Sequence, residues 1–356
     1  MTHLTARTLK ILMAGLIASA LISGCGKKAG EDATPETAET SAAVTANPAM
    51  ADRKVGICLS SASDAGQGKL RDALTEALIA RGFTAENISV TDAGASPDSL
   101  AQQADAFIST PVDVLIVSPV QSADMPSLTD KAAAAKIPLI YINTFPEEGE
   151  QARWEDGLAV TFAGPSAGAR GRAQGALAAE MTLEVLDVNG NGAIDYVLVN
   201  VDSSLPETRA DSEALMKVLE ETCTVNCLDE LSAYGDRVTA RQAAENALGQ
   251  FGTQAELFVC ENDTMALGAA DAAAGSGKTV GTDLFIIGGN ASKSGVEAVQ
   301  AGTISGTVTR DLADEAAKAA EAAEGYLAGT YTAHMSECDH MRVTAENAQE
   351  ALARLG

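Results

Sequence analysis

A short segment near the middle of the chain has the spacing of a calcium-binding loop. Oxygen-bearing side chains alternate with other residues between positions 187 and 195, and Gly192 and Ile194 match the sharp turn and the apolar anchor that such loops need. The predicted ligands are Asp187, Asn189, Asn191, the backbone carbonyl of Ala193, and Asp195. Hard oxygen ligands in this order predict a Ca²⁺ site.

The segment departs from an EF-hand at its end. Position twelve of the loop is Leu198, where an EF-hand has a bidentate Glu. The chain then continues into the apolar run Tyr196 to Val199 and not into a second helix. The alternative is an Asx-rich turn between a helix and a strand, without a metal.

The segment 272–279, Ala-Ala-Ala-Gly-Ser-Gly-Lys-Thr, is similar to a phosphate-binding P-loop. A P-loop follows a strand and opens a helix, so that its backbone N–H groups reach the phosphates. Here a helical stretch precedes the glycines and a strand follows them. We therefore predict a turn that ends a helix and no nucleotide site.

The six cysteines have different surroundings in the sequence. Cys58 and Cys260 lie in apolar runs, which predicts small buried side chains. Cys223 and Cys227 are close enough in sequence for a local disulfide in an oxidising compartment. Cys338 is left over; it is flanked by His334 and His340, but no fourth ligand for a zinc site is evident.

The N-terminus has the features of an export signal. Basic Arg7 and Lys10 precede an apolar run from residue 11 to 22, which is too short to span a bilayer. The run ends in Ser23-Gly24-Cys25, which resembles a lipobox. We predict a signal peptide over 1–24, lipidation of Cys25 and a flexible tether over 25–52, where Ala, Thr, Glu, Gly and Pro dominate.

The charge of the chain excludes several functions. Its formal net charge is -25, and removal of Arg7 and Lys10 with the signal peptide would lower it to about -27. So acidic a chain repels nucleic acid, and we expect contact with the membrane through the lipid anchor only. Aromatic residues are scarce at 4%, which limits stacking against sugar rings.

The motifs lie between alternating strands and helices. Short apolar runs without alternation predict buried parallel strands, and helical segments separate them. The predicted strands are Val55 to Leu59, Val112 to Val117, Pro138 to Ile142, Tyr196 to Val199, Leu257 to Cys260 and Phe285 to Ile287. The predicted helices include Gly68 to Arg81, Ala123 to Ala135, Ala210 to Glu221 and Val238 to Phe251.

The alternation of strands and helices predicts the α/β fold class, with two similar lobes that each hold a parallel sheet flanked by helices and that are joined by a hinge. Ligands of such sheets bind beyond the carboxyl ends of the strands.

In this order, the motifs resemble the periplasmic galactose/glucose-binding protein family of type I sugar-binding proteins. The matching motifs are the loop 187–195, Gly171-x-x-Gln174-Gly175, Asn262-Asp263-x-Met265-Ala266-x-Gly268 and Gly302-x-x-x-Gly306-Thr307-Val308. In that family the calcium loop precedes a strand and a distant Glu completes the coordination, which here implies Glu256. The resemblance places an N-terminal lobe at 53–165 and about 310–335, and a C-terminal lobe at 166–309 and about 336–356.

The resemblance also implies the residues that contact a sugar. They are Asp64, Asn143, Arg209, Asp211, Tyr234, Asn262, Asn290 and Arg310. Arg310 stands where the family has an Asn, and the two stacking positions fall on Gly66 and Gly235. The loss of apolar faces and the gain of a guanidinium predict a ligand that is more polar, or more anionic, than a neutral hexose. The alternative is that Asp211 and Asp64 neutralise Arg310 and leave a site for uncharged polyols.

The function that follows is that of a monomeric, extracytoplasmic solute-binding lipoprotein of an ABC importer, anchored to the cell membrane or the periplasmic face. Its partners would be a sugar-like ligand and the transporter permease. An alternative is a binding protein that signals to a chemoreceptor or a sensor kinase. A carbohydrate-active enzyme is the less favoured alternative, because no nucleophile or paired-carboxylate signature is present.

Overall fold

The computed structural model describes residues 45–63, 65–110, 112–155 and 157–355. The predicted signal peptide, the lipidation site Cys25, the first part of the tether and the predicted ligand residue Asp64 lie outside the described residues.

The described residues fold into alternating strands and helices. The strands are β1 (Val55–Leu59), β2 (Ile88–Asp92), β3 (Val114–Val117), β4 (Leu139–Ile142), β5 (Val160–Gly164), β6 (Ala193–Asn200), β7 (Thr224–Ser232), β8 (Leu257–Cys260), β9 (Phe285–Ile287), β10 (Thr307–Arg310), β11 (Met335–Glu337) and β12 (His340–Val343). The α-helices are α1 (Ala65–Ala80), α2 (Pro97–Ser109), α3 (Met125–Ala135), α4 (Glu148–Trp154), α5 (Ala169–Glu180), α6 (Leu183–Leu186), α7 (Pro206–Glu220), α8 (Arg237–Phe251), α9 (Asp263–Gly275), α10 (Lys293–Gln300), α11 (Leu312–Ala328) and α12 (Ala348–Leu355). Among these described helices, none combines the length and the apolarity needed to cross a membrane.

Two parallel sheets organise the molecule, which confirms the predicted fold class. The first has six strands in the order β11-β5-β4-β3-β1-β2, and the second has four in the order β7-β6-β8-β9. Every side chain of β1, β3, β4 and β5 is buried, as are those of β6, β8 and β9, because helices cover both faces of each sheet. The antiparallel pair β10-β12 is an element that the sequence did not predict.

The chain passes between the lobes three times. It leaves the six-stranded sheet after β5, returns between β10 and α11, and leaves again between β11 and β12. Strand β11 pairs with β5, so residues up to Glu337 belong to the N-terminal lobe. The last boundary therefore lies about two residues beyond the predicted 335.

The last residues of the predicted tether belong to the N-terminal lobe. The predicted boundary between tether and lobe at residue 52 is therefore too late in the chain. Residues Pro48–Met50 form a 3-10 helix that Asn47 caps. The side chain of Met50 is only 2% exposed and packs among the apolar residues of α1 and β1. The Asn47 side chain donates to Glu324 on α11 over 3.0 Å. The segment is poor in apolar residues, so its composition did not indicate that the single residue Met50 packs it against the core.

We expect Met50→Ala to destabilise the protein by about 2–5 kcal/mol, because the truncation leaves a cavity in the core. The measurement is urea unfolding. Met216→Ala is the matched control, since Met216 is 38% exposed, and its effect should stay within about 0.5 kcal/mol. Equal stability of the two variants would mean that residues 45–52 are a tether after all.

The predicted disulfide between Cys223 and Cys227 is wrong, since both cysteines are free. Cys223 immediately precedes β7 and Cys227 lies within it. A strand advances about 3.3 Å per residue, so cysteines four residues apart lie about 13 Å from each other, beyond the 7 Å limit for bridged Cα atoms. Cys58 and Cys260 are fully buried, as predicted.

The segment that is similar to a P-loop is the end of a helix, as predicted. Helix α9 runs to Gly275, and Gly277 follows with φ of 70° in the turn. The helix N-terminus that could meet a phosphate lies at the far end of α9.

Candidate functional site

A cleft of about 710 Å³ opens beyond the carboxyl ends of the strands of both sheets. Its walls come from the loop after β4, the connection 165–168 with the first two residues of α5, and the start of α7. Glu261, Arg310 and His340 complete the lining. Both lobes thus contribute polar side chains to one cavity.

Arg310, at the end of β10, is held by two partners of the N-terminal lobe. Its Nη1 donates to Oδ1 of Asn143 over 2.6 Å, and its Nη2 donates to Oε2 of Glu315 over 2.6 Å. The backbone N–H of Asn143 donates to the other carboxylate oxygen of Glu315 over 2.8 Å. Burial raises the pKa of Glu315, and the guanidinium opposes that shift. The charge of Arg310 is therefore matched inside the protein.

Arg170, at the start of α5, is held in the same way by the C-terminal lobe. Its Nη2 donates to Asp211 over 2.5 Å and to Glu261 over 2.8 Å. The second oxygen of Glu261 accepts from the backbone N–H of Val201 over 2.7 Å. At Gly171 a Cβ atom would lie 1.8 Å from the carbonyl oxygen of Asp211, so only glycine lets α5 approach α7 this closely.

The two clusters argue against an anionic ligand. Two arginines face three carboxylates, those of Asp211, Glu261 and Glu315. Glu147, Glu148 and Glu207 also line the cleft. The expectation of an anionic ligand required a free Arg310 charge, and the alternative named Asp211 and Asp64 as the residues that would neutralise it; in the structure Glu315 pairs with Arg310, and Asp211 pairs with Arg170.

The structure brings some of the predicted ligand residues together and leaves others apart. Asn143, Asp211 and Arg310 line the cleft. The remaining described residues lie outside its lining. Arg209 is exposed and donates to a backbone carbonyl in the preceding turn, and Asn262 caps α9.

Tyr234 and Asn290 occupy turns that also lie outside the lining. Tyr234 is 69% exposed and follows β7, and Asn290 is exposed and follows β9. Both residues have positive φ, 52° and 79°, which is uncommon for residues other than glycine.

The predicted calcium loop has the backbone that such a loop needs. Gly190 and Gly192 adopt positive φ angles of 74° and 83°, and Ile194 is buried. The carboxylate of Asp187 accepts from the backbone N–H groups of Asn191 and Gly192 over 2.9 Å each. The loop leads directly into β6, as the sequence predicts.

Two buried carboxylates meet behind this loop. Asp195 and Glu256 are both 0% exposed. Glu256 accepts from the backbone N–H groups of Asn189 over 2.7 Å and of Asp195 over 3.1 Å. Burial raises the pKa of Glu256, and the charges of Asp195 and Asp187 raise it further. The distant Glu implied by the resemblance therefore does lie against the loop.

The loop contains oxygen ligands for a hard cation, but its Asn side chains are oriented with their amide nitrogens toward Asp195. Asn189, Asn191 and Asn226 turn their amide nitrogens toward Asp195, over 3.0, 2.8 and 2.7 Å. Within the described part of the chain, no three His, Cys, Asp or Glu side chains are arranged to hold a metal ion. The amide oxygens of Asn189 and Asn191 accept from the backbone N–H groups of Asn191 and Ala193 over 3.0 and 2.9 Å, so a cation would require these amides to reorient; the residues themselves carry the oxygen ligands that Ca²⁺ prefers.

A match to a known family covers most of this structure. Residues 55–330 match the family described as periplasmic binding protein domain. The chain belongs to the periplasmic binding protein family.

Three relatives of this binding protein are informative. The D-galactose/methyl-galactoside binding periplasmic protein of Haemophilus influenzae is 23% identical over 275 residues, 74% of this chain and 78% of that protein. The xylitol-binding protein of Mycolicibacterium smegmatis is 28% identical over 225 residues, 63% of this chain and 59% of the relative. An ABC transporter solute-binding protein from Bacillus halodurans, solved with bound myo-inositol, superimposes with a TM-score of 0.59 at 24% identity, covering 86% of this chain and 99% of that one.

Several residues in the cleft of this binding protein were not among those predicted. Glu261 directly follows β8, a position at the carboxyl end of a strand that could have been recognised. Arg170 immediately precedes the Gly171 motif, which could also have drawn attention to it. Phe145 lines the cleft and its ring is in a T-shaped contact with Phe162, so one aromatic side chain is present despite the two glycines. Glu315 was missed because it lies on α11, away from the strand ends and motifs from which the other residues were predicted.

Proposed function

We propose that this protein is the extracytoplasmic solute-binding component of an ABC importer and that its ligand is a neutral polyhydroxy compound, a sugar or a sugar alcohol. The observation that carries the proposal is the pairing of each cleft arginine with carboxylates. Membership of the family and the galactoside, xylitol and myo-inositol named for its relatives support it.

Paired ions suit hydroxyl groups better than they suit charged groups. Each ligand hydroxyl is both a donor and an acceptor, so it can donate to a carboxylate oxygen and accept from a guanidinium N–H. Arg170 with Asp211 and Glu261 offers this combination on one wall, and on the other Arg310 offers a guanidinium beside the amide of Asn143, which both donates and accepts. A charged ligand would have to compete with an existing internal ion pair.

Because the cleft lies between the lobes, ligand binding would change the equilibrium between an open and a closed arrangement of the lobes. A ligand that contacts both walls stabilises the closed arrangement relative to the open one by its difference in affinity for the two. The three connections between the lobes are the segments that would bend. The permease would then recognise the closed, loaded protein.

We further propose that Asp187, Asn189, Asn191, the carbonyl of Ala193, Asp195 and Glu256 bind Ca²⁺ and that Cys25 carries a lipid anchor. The buried, uncompensated charge of Asp195 and Glu256 supports the first, since a cation would neutralise it. The order of basic, apolar and small residues before Cys25 supports the second.

Isothermal titration of the mature protein against galactose, xylitol, myo-inositol and ribose tests the proposed function, with galacturonate as the acid counterpart of galactose. We expect at least one neutral compound to bind, and galacturonate to bind about tenfold or more weakly than galactose if galactose is bound, which corresponds to about 1.4 kcal/mol. The ligand should be recovered unchanged, whereas a carbohydrate-active enzyme would convert it.

The control is Arg71→Gln, which alters an exposed arginine on α1 that forms an ion pair with its neighbour Asp72. Its affinity should equal that of the wild type. Tighter binding of galacturonate than of every neutral compound would contradict the neutral-ligand proposal. Conversion of the sugar would contradict the assignment to transport.

A further inference from the structure

His340 faces the cleft from the strand that carries the chain back into the C-terminal lobe. It is the first residue of β12 and lies directly opposite Arg310 in the antiparallel pair β10-β12. It is half-buried and belongs to the lining of the cleft. The paired strands therefore present an imidazole and a guanidinium side by side.

The imidazole of His340 has no hydrogen-bond partner in the described structure. Its Nδ1 is buried without a partner. The neighbouring Arg170 and Arg310 are held through their terminal nitrogens, whereas their Nε atoms are buried without a partner, as Nδ1 of His340 is. Since Nδ1 is shielded, Nε2 is the ring nitrogen left to meet a bound molecule.

The surroundings keep this ring uncharged. Burial lowers the pKa of His340 to about 4, and the charges of Arg310, Arg170 and Arg172 act in the same direction. At neutral pH the imidazole therefore has one N–H and one lone pair. A hydroxyl group can serve as the partner of either.

We propose that His340 is a ligand-contacting residue whose Nε2 forms a hydrogen bond with one hydroxyl of the bound polyol. This inference rests on the proposed function. It adds to the site a residue that directly follows the connection between β11 and β12, so a ligand bound there contacts the chain next to a segment that links the two lobes.

Two substitutions distinguish the hydrogen bond of the His340 Nε2 from the packing of the ring. His340→Phe keeps a ring but removes the nitrogen, and His340→Gln keeps a polar group at about the reach of Nε2. With the neutral sugar that binds the wild type most tightly, we expect titration calorimetry to show an affinity loss of about tenfold or more for His340→Phe and of about threefold or less for His340→Gln.

His334→Phe is the matched control, since His334 lies outside the cleft lining and its Nδ1 bonds to the backbone oxygen of Val160. Its affinity should match that of the wild type. A measurement on the unaltered protein covers the case in which a variant fails to fold. In ¹⁵N-histidine spectra, ligand should shift the Nε2 resonance of His340 and leave that of His334 in place.

The outcomes are distinct. Wild-type affinity in His340→Phe, equal losses in the Phe and Gln variants, or an unshifted His340 resonance at saturating ligand would each overturn the contact. If the wild type binds none of the neutral compounds, the proposed function fails, independently of His340.

Discussion

Calcium should raise the free energy of unfolding of the wild-type protein, and most of this increase should be absent in Glu256→Gln. A ligand bound only by the native state adds RT ln(1 + [L]/Kd), which is about 2.7 kcal/mol at a hundredfold excess over Kd. Glu256 is fully buried against the loop and carries one of the two carboxylates that a cation would neutralise. Its replacement removes a charged oxygen ligand and leaves the hydrogen bonding capacity of an amide.

The measurement is urea unfolding of both proteins with calcium and with a chelator. Glu297→Gln is the matched control, because Glu297 is exposed on α10 and should leave the calcium effect intact. If chelation leaves the free energy of unfolding of the wild type unchanged, segment 187–195 is the Asx-rich turn that was the alternative. The same result would remove calcium from the proposed function without affecting ligand binding.

The parts of the fold that the sequence predicted are those whose burial is uniform. Strands β1, β8 and β9 have the predicted ends, because a strand covered on both faces must be apolar throughout. Strand β7 was missed for the opposite reason. It lies at the edge of the four-stranded sheet, its side chains are exposed or half-buried, and its run Thr-Val-Asn-Cys-Leu-Asp-Glu-Leu-Ser shows no apolar signal.

The candidate site was predictable only where its residues follow a strand or a motif. Asn143 comes directly after β4, and Glu256 follows from the resemblance together with the calcium loop. The contact of Asn143 with Glu315 joins residues 172 positions apart, and nothing in either local sequence indicates the other. The pairing that argues against the predicted anionic ligand joins Arg310 to Glu315, which is only five positions away but lies on α11, outside the strand on which Arg310 was interpreted.

Arg310→Met should destabilise the protein by about 3–5 kcal/mol at neutral pH. Removal of one partner of a buried ion pair leaves the other charge uncompensated. Glu315 is 1% exposed, and Arg310 is the cation that its carboxylate contacts. The double variant Arg310→Met/Glu315→Gln should recover most of the loss, because an amide at 315 has no charge to bury and can still accept from the Asn143 N–H.

The pH dependence distinguishes an uncompensated charge from lost packing. Burial already raises the pKa of Glu315, and the loss of the guanidinium, which opposes that shift, would raise the pKa further. A carboxyl whose folded-state pKa exceeds its unfolded value favours the native state as it becomes protonated, so the deficit of Arg310→Met should shrink as the pH falls from 7.5 toward the ordinary glutamate pKa. Urea unfolding at a series of pH values measures this difference. If the deficit of the single variant is independent of pH, the cost arises from packing around Arg310. The stability of the double variant relative to the wild type should vary much less over the same range, since its residue at 315 does not titrate.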